Sequence, residues 1–125
     1  MADMAAALRA RLAGLAAIHW AMVPATAGLP YIRLQTISDP RPEHLKGYDR
    51  TRETRVQADC FAASHKAAQA LAQGVIAAVA TPATVGEVKF GRTRAEGPRD
   101  LGEDVAGLGF IHRMSVDLLV QHNGD

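Results

Sequence analysis

Two periodicities alternate along the chain. Met4, Leu8, Leu12 and Leu15 recur at helical spacing behind a suitable N-cap, Asp3, and alanine fills most positions between them. This predicts a first helix ending either at Gly14 or near Trp20, with Pro24 as the outer limit. Period two follows. Over Tyr31–Ile37, Ile32 and Leu34 point one way and Tyr31, Arg33 and Gln35 the other, which predicts a strand closed by Pro40 and Pro42. A second strand is expected over Glu53–Ala62, where Thr54, Val56, Ala58 and Cys60 alternate with Arg55, Gln57 and Asp59.

Ser64 is placed to cap the clearest helix, His65–Ala80, with Ala68, Leu71, Ala72, Val75, Ile76 and Val79 as its apolar stripe. Gly74 inside that helix costs roughly 1 kcal/mol relative to alanine, which predicts close packing there. A third strand is expected over Val85–Thr93. The last and longest runs over Leu108–Gln121, on the order of 40 Å at about 3.3 Å per residue. Between strands lie two charged stretches, Glu43–Arg52 and Arg94–Gly107, expected to be long exposed loops. The order α-β-β-α-β-β predicts an α+β single domain, residues 1–125, with an antiparallel four-stranded sheet and helices packed on one face. The opposite face would carry Arg33, Arg55, Asp59, Arg113 and Asp117.

Composition agrees with a globular domain: 125 residues, 48% hydrophobic and 22% charged. Fourteen basic against thirteen acidic residues give a net charge of +1, and aromatics are only 5%. That balance argues against a protein whose task is to coat phosphate backbones. The single Cys60 cannot form an internal disulfide and falls on a buried strand face. The N-terminal stretch has charges at Asp3, Arg9 and Arg11, unlike a secretory signal, and no run approaches the ~20 apolar residues of a membrane span. A soluble intracellular product without membrane partners is the expectation.

Candidate chemistry is sparse. His19, His44, His65, His112 and His122 form no pair at metal-ligand spacing, and no HExxH, CxxC, GxSxG or phosphate-loop pattern occurs. His112 is expected among apolar strand residues and the other histidines at the surface. Asp59 and Asp117 could form a carboxylate pair on the sheet, though nothing in the sequence brings them together. No catalytic, metal or cofactor-binding residue is assigned, and the protein is expected not to be an enzyme.

Three segments carry a resemblance. Leu29-Pro30-Tyr31-Ile32-Arg33-Leu34-Gln35 is similar to the first strand of the small tail-terminator or tail-completion proteins of long-tailed bacteriophages. Arg55-Val56-Gln57-Ala58-Asp59-Cys60-Phe61-Ala62, running into Ser64 and the helix through Val79, resembles their central strand–helix unit. Met114-Ser115-Val116-Asp117-Leu118-Leu119-Val120 resembles their last strand, and related modules occur in gene transfer agents. The resemblance implies a structural virion protein, assembled in the bacterial cytoplasm. It would form a homo-oligomeric, hexameric ring at the head-proximal end of a tail tube. The ring would stop tube polymerisation and join the tail to the head, with the major tail tube protein and a head–tail connector protein as partners and DNA only as passing cargo. The family brings no catalytic residues, so the assembly contacts are assigned from the charged stretches: Arg41, Glu43, Lys46, Asp49, Arg50 and Arg52 in the first, and Arg94, Arg99, Asp100, Glu103 and Asp104 in the second. Another head–tail adaptor and a small-molecule-binding α+β domain remain as alternatives.

Overall fold

The computed structural model describes residues 3–24, 28–40, 43–44, 47–48, 52–105 and 109–123. Helix α1 spans Met4–Leu12, and Asp3 Oδ1 caps it by accepting the Ala6 N–H at 3.3 Å. The helix stops short of Gly14, and residues up to Trp20 do not extend it. Ala17–Trp20 instead form strand β1, with the β-branched Ile18 turned into the core and Trp20 Nε1 donating to the Ala5 carbonyl at 3.2 Å.

Strand β1 runs parallel to β2, Tyr31–Ser38, with Ala17 opposite Tyr31 and Trp20 opposite Leu34. Two-residue strands β3, Glu43–His44, and β4, Gly47–Tyr48, pair only with each other. Strand β5, Arg52–Ala62, lies antiparallel to β2. Helix α2, His65–Val79, follows, with Ser64 Oγ accepting the Ala67 N–H at 3.1 Å. A tight hairpin of β6, Ala83–Val85, and β7, Val88–Phe90, turns at Gly86, whose φ of +59° suits glycine. Strands β8, Arg94–Asp100, and β9, Glu103–Val105, precede β10, Gly109–His122.

The strand path β1-β2-β5-β10-β7-β6, with β8 and β9 also on β10, corrects the expected four-stranded antiparallel sheet and its element order. One pair is parallel, and the expected strand over Val85–Thr93 is instead the β6–β7 hairpin followed by the start of β8. The largest correction is the second charged stretch. Arg94–Asp100 and Glu103–Val105 are strands, not loop, and together they line the edge of β10 opposite β5. The physical reason lies in β10 itself. A fourteen-residue strand bonded on one side only would leave a long row of unpaired backbone groups. Backbone pairing by β8 requires no apolar alternation, because most of its residues are exposed.

Both helices lie on one face of the sheet, as expected. Ala68, Ala72, Val75 and Val79 of α2 and Leu8 and Leu12 of α1 meet Ile32, Leu34, Val56, Ala58, Val116, Leu118 and Val120 in one core. The alanines let α2 approach β5 and β10 closely. A Cβ on Gly74 would stand 3.2 Å from Leu15 Cδ2, the close packing its position predicts. Arg11 ties the helices together: its Nη2 donates to the carbonyls of Ala78 and Thr81, both at 2.9 Å, at the end of α2. Burial holds this guanidinium below its ordinary pKa, and it lies 4.9 Å over the Phe90 ring.

Candidate functional site

The face of the sheet turned away from the helices carries the charged residues that alternation placed there. Register aligns them in rows across β2, β5, β10 and β8. Tyr31, Phe61 and Arg113 form one row; Arg33, Asp59, Ser115 and Arg99 form the next; Gln35, Gln57, Asp117 and Glu96 form a third. Antiparallel pairing brings side chains in such rows within reach of one another.

Asp59 anchors the second row. It is fully buried, Arg33 Nη2 donates to its Oδ2 at 2.7 Å, and Gln57 Nε2 donates to both carboxylate oxygens at 3.0 and 3.2 Å. Burial pushes this carboxyl up, but the Gln57 and Arg33 hydrogen bonds and the Arg33 charge outweigh it and hold the pKa below its ordinary value. Arg55 links two acids, donating from Nη1 to Asp117 Oδ2 at 3.1 Å and Glu96 Oε2 at 3.4 Å. The Glu96 hydrogen bond raises Arg55 above its ordinary pKa against a cost from desolvation, and both carboxylate charges add to the rise. Arg99 reaches Asp117 at 3.4 Å, and Arg94 reaches Glu53 at 3.2 Å. Beside this grid Tyr31 stacks on Phe61 at 4.7 Å between centroids, and the guanidinium groups of Arg33 and Arg113 lie 5.6 and 5.9 Å from the Phe61 ring centre.

Of the assigned contact residues, Arg41, Lys46, Asp49 and Arg50 lie outside the described residues. Glu43 falls in β3, and Glu103 and Asp104 in β9. Arg94, Arg99 and Asp100 share β8, where Arg94 and Arg99 join the grid and Asp100 Oδ2 meets His65 Nε2 at 3.2 Å. Arg52 departs from the expectation of an exposed loop: it opens β5 and is only 5% exposed. Its Nη1 lies 3.6 Å from Asp39 Oδ2. Thr54 Oγ1 donates to Asp39 Oδ1 at 2.8 Å and meets His122 Nε2 at 2.7 Å. With its own proton committed to Asp39, Thr54 accepts from His122. His122 is thus the buried histidine, at 1% exposure, whereas His112 is half-buried, edge-on to Phe110. Continued alternation past Val120 carries the signal for this, since residue 122 shares the parity of the core. Glu96 and Arg113, by contrast, were legible as polar positions but not as members of one grid.

The arrangement offers little chemistry. Asp59 and Asp117 are each engaged by their own arginine, so they do not work as a coupled acid–base pair. Burial, with the nearby Asp59 charge, pushes the Cys60 thiol up to about 12, which leaves it unreactive. Among the described residues no three His, Cys, Asp or Glu side chains gather to hold a metal, and no helix is long and apolar enough to cross a membrane. A cavity of about 290 Å³ is lined by Lys89, Phe90, Gly91, Gln121, His122 and Asn123, and a second of about 260 Å³ lies between α1 and the β6–β7 turn.

A fold-spanning charged face without a reactive centre fits an assembly component, and the comparisons agree. A family profile described as "Tail completion protein gp17" matches residues 2–118. The chain belongs to that family. It is therefore a structural component of a phage-like tail. No curated protein matches it. Among solved structures, a chain from a "Virion of native gene transfer agent (GTA) particle" shares the fold at a TM-score of 0.65 and 15% identity, covering 95% of this chain and 94% of that one.

Proposed function

We propose that this tail completion protein forms a hexameric ring at the head-proximal end of a phage-like tail tube, where it stops polymerisation and presents a surface to the head connector. Membership of the family over residues 2–118 carries this proposal. The sheet face supports it: a surface of paired arginines and carboxylates, with no reactive group among them, suits contact between proteins better than turnover of a substrate. The role assigned is non-enzymatic and requires no cofactor. The particle would be a gene transfer agent or a related phage-like assembly, with the major tail tube protein below the ring, the connector above it, and DNA passing through.

The test is tube growth. Tube protein polymerised with the purified chain should give tubes of limited length with a ring at one end in negative-stain images. Unchanged tube length and bare tips would overturn the terminator role. Binding to the connector alone would make the protein an adaptor of the head instead.

A further inference from the structure

The charges on the outer sheet face do not cancel completely. Arg33, Arg55, Arg94 and Arg99 each reach a carboxylate within 3.4 Å, but Arg113 has no ion pair and lies over Phe61 at the margin of the grid. Five arginines therefore face the four carboxylates of Glu53, Asp59, Glu96 and Asp117. Those carboxylates would repel a polyphosphate, so the surplus cation suits an acidic protein surface rather than a nucleic acid. Two such faces pressed together would double the surplus, which argues against a two-fold self-contact. On the other side of the molecule, at the start of α1 and the β6–β7 turn, Asp3 and Glu87 are both exposed. They flank the cavity of about 260 Å³ floored by Ala6, Val85 and Val88. The chain thus presents a cationic, aromatic patch on its sheet side and an acidic, apolar-floored patch on its α1–hairpin side.

We propose that these two patches are the two halves of one head-to-tail contact: the Arg113–Phe61 region of one copy seats against the Asp3–Glu87 groove of a second copy. A heterologous contact of this kind joins two different surfaces of the same chain, and it closes into a ring when its rotation divides a full turn. The inference rests on the ring proposed above and names the surfaces that build it.

Reciprocal charge reversal tests it. Sedimentation velocity of the full chain across a concentration series should show assembly. R113E and E87R should each raise the concentration needed for assembly by at least about tenfold, with thermal melts close to the parent's. R113Q, which keeps a polar side chain and drops the charge, should move in the same direction and guards against a folding defect. R113E combined with E87R should recover assembly, whereas K66E, at an exposed position on α2, should leave it unchanged. If the parent assembles and either single reversal assembles equally well, or both fail and the combination does not recover, the paired-patch contact is wrong while the ring stands. A parent that stays monomeric at every concentration removes the ring and this contact together. If R113E assembles normally but loses tube protein or duplex DNA, the patch belongs to that partner and the inference fails.

Discussion

Strands β2, β5 and β10 have two faces built on opposite principles. On the inner face Ile32, Leu34, Val56, Ala58, Val116 and Leu118 are fully buried beneath the helices. On the outer face Asp59 is equally buried, but beneath arginine stems and beside Gln57 rather than beneath apolar side chains. Both faces exclude water from the strands. They differ in what change costs: the inner face relies on non-directional burial that grows with area, the outer on directional pairs that fail when one partner is lost. The inner face holds the subunit together. The outer face leaves charged groups where another protein can meet them.

Leu118 and Leu119 are chain neighbours on opposite faces, and they give the largest expected effect. Leu118 is 0% exposed in the core. Leu118→Ala should cost about 2–5 kcal/mol in chemical denaturation, whereas Leu119→Ala should cost visibly less because arginine stems can close over the gap. Equal losses would mean that the outer face is packed as tightly as the core.

Next in size is Asp59→Ala. It leaves Arg33 without its carboxylate and Gln57 without its acceptor. Because Arg33 keeps 29% of its side-chain surface exposed, the guanidinium can turn toward water, which holds the expected loss to about 1–3 kcal/mol at neutral pH. Asp59→Asn should lose less. A neutral result for the alanine variant would show that the grid is decoration on a fold sustained by the inner face alone.

The two faces were also unequally legible from sequence. Period two assigned the residues of β2, β5 and β10 to their faces correctly, because alternation is a local property of strands covered on one side. The same logic failed at β8. Its partner is the backbone of β10 and most of its side chains face solvent, so charged residues there read as loop. It failed at β1 for a different reason: Ala17–Trp20 continue an alanine-rich helical pattern, and only parallel pairing with β2 makes them a strand. The ion pairs were beyond reach, since Arg55 meets Glu96 only through the register of β8 on β10, which no local pattern encodes. Arg52 and His122 were misjudged because polarity was taken as exposure. Paired across strands with Thr54 and Asp39 beside them, they satisfy one another inside.

Acid titration separates the faces further, since only the outer one depends on proton count. The native pKa of Asp59 lies below its ordinary value, so the native state binds its proton less readily than the unfolded chain. Its stabilisation is complete above the unfolded carboxylate value of about 3.9 and is lost as pH falls from there through the lowered native value. Denaturation midpoints should therefore fall more steeply across that acidic window in the parent than in Asp59→Asn. Parallel slopes would remove Asp59 as a contributor.

The smallest effect belongs to the exposed rim, Arg94 with Glu53, whose side chains are 66% and 40% exposed at 3.2 Å separation. Exposed pairs contribute about 0–1 kcal/mol, because water already solvates both ions and fixing two long side chains costs entropy. A double-mutant cycle of Arg94→Ala and Glu53→Ala should return a coupling below about 0.5 kcal/mol, shrinking further in high salt. A larger, salt-resistant coupling would mean that β8 depends on this pair to stay on β10, and that the outer face holds the sheet together as well as offering it to a partner.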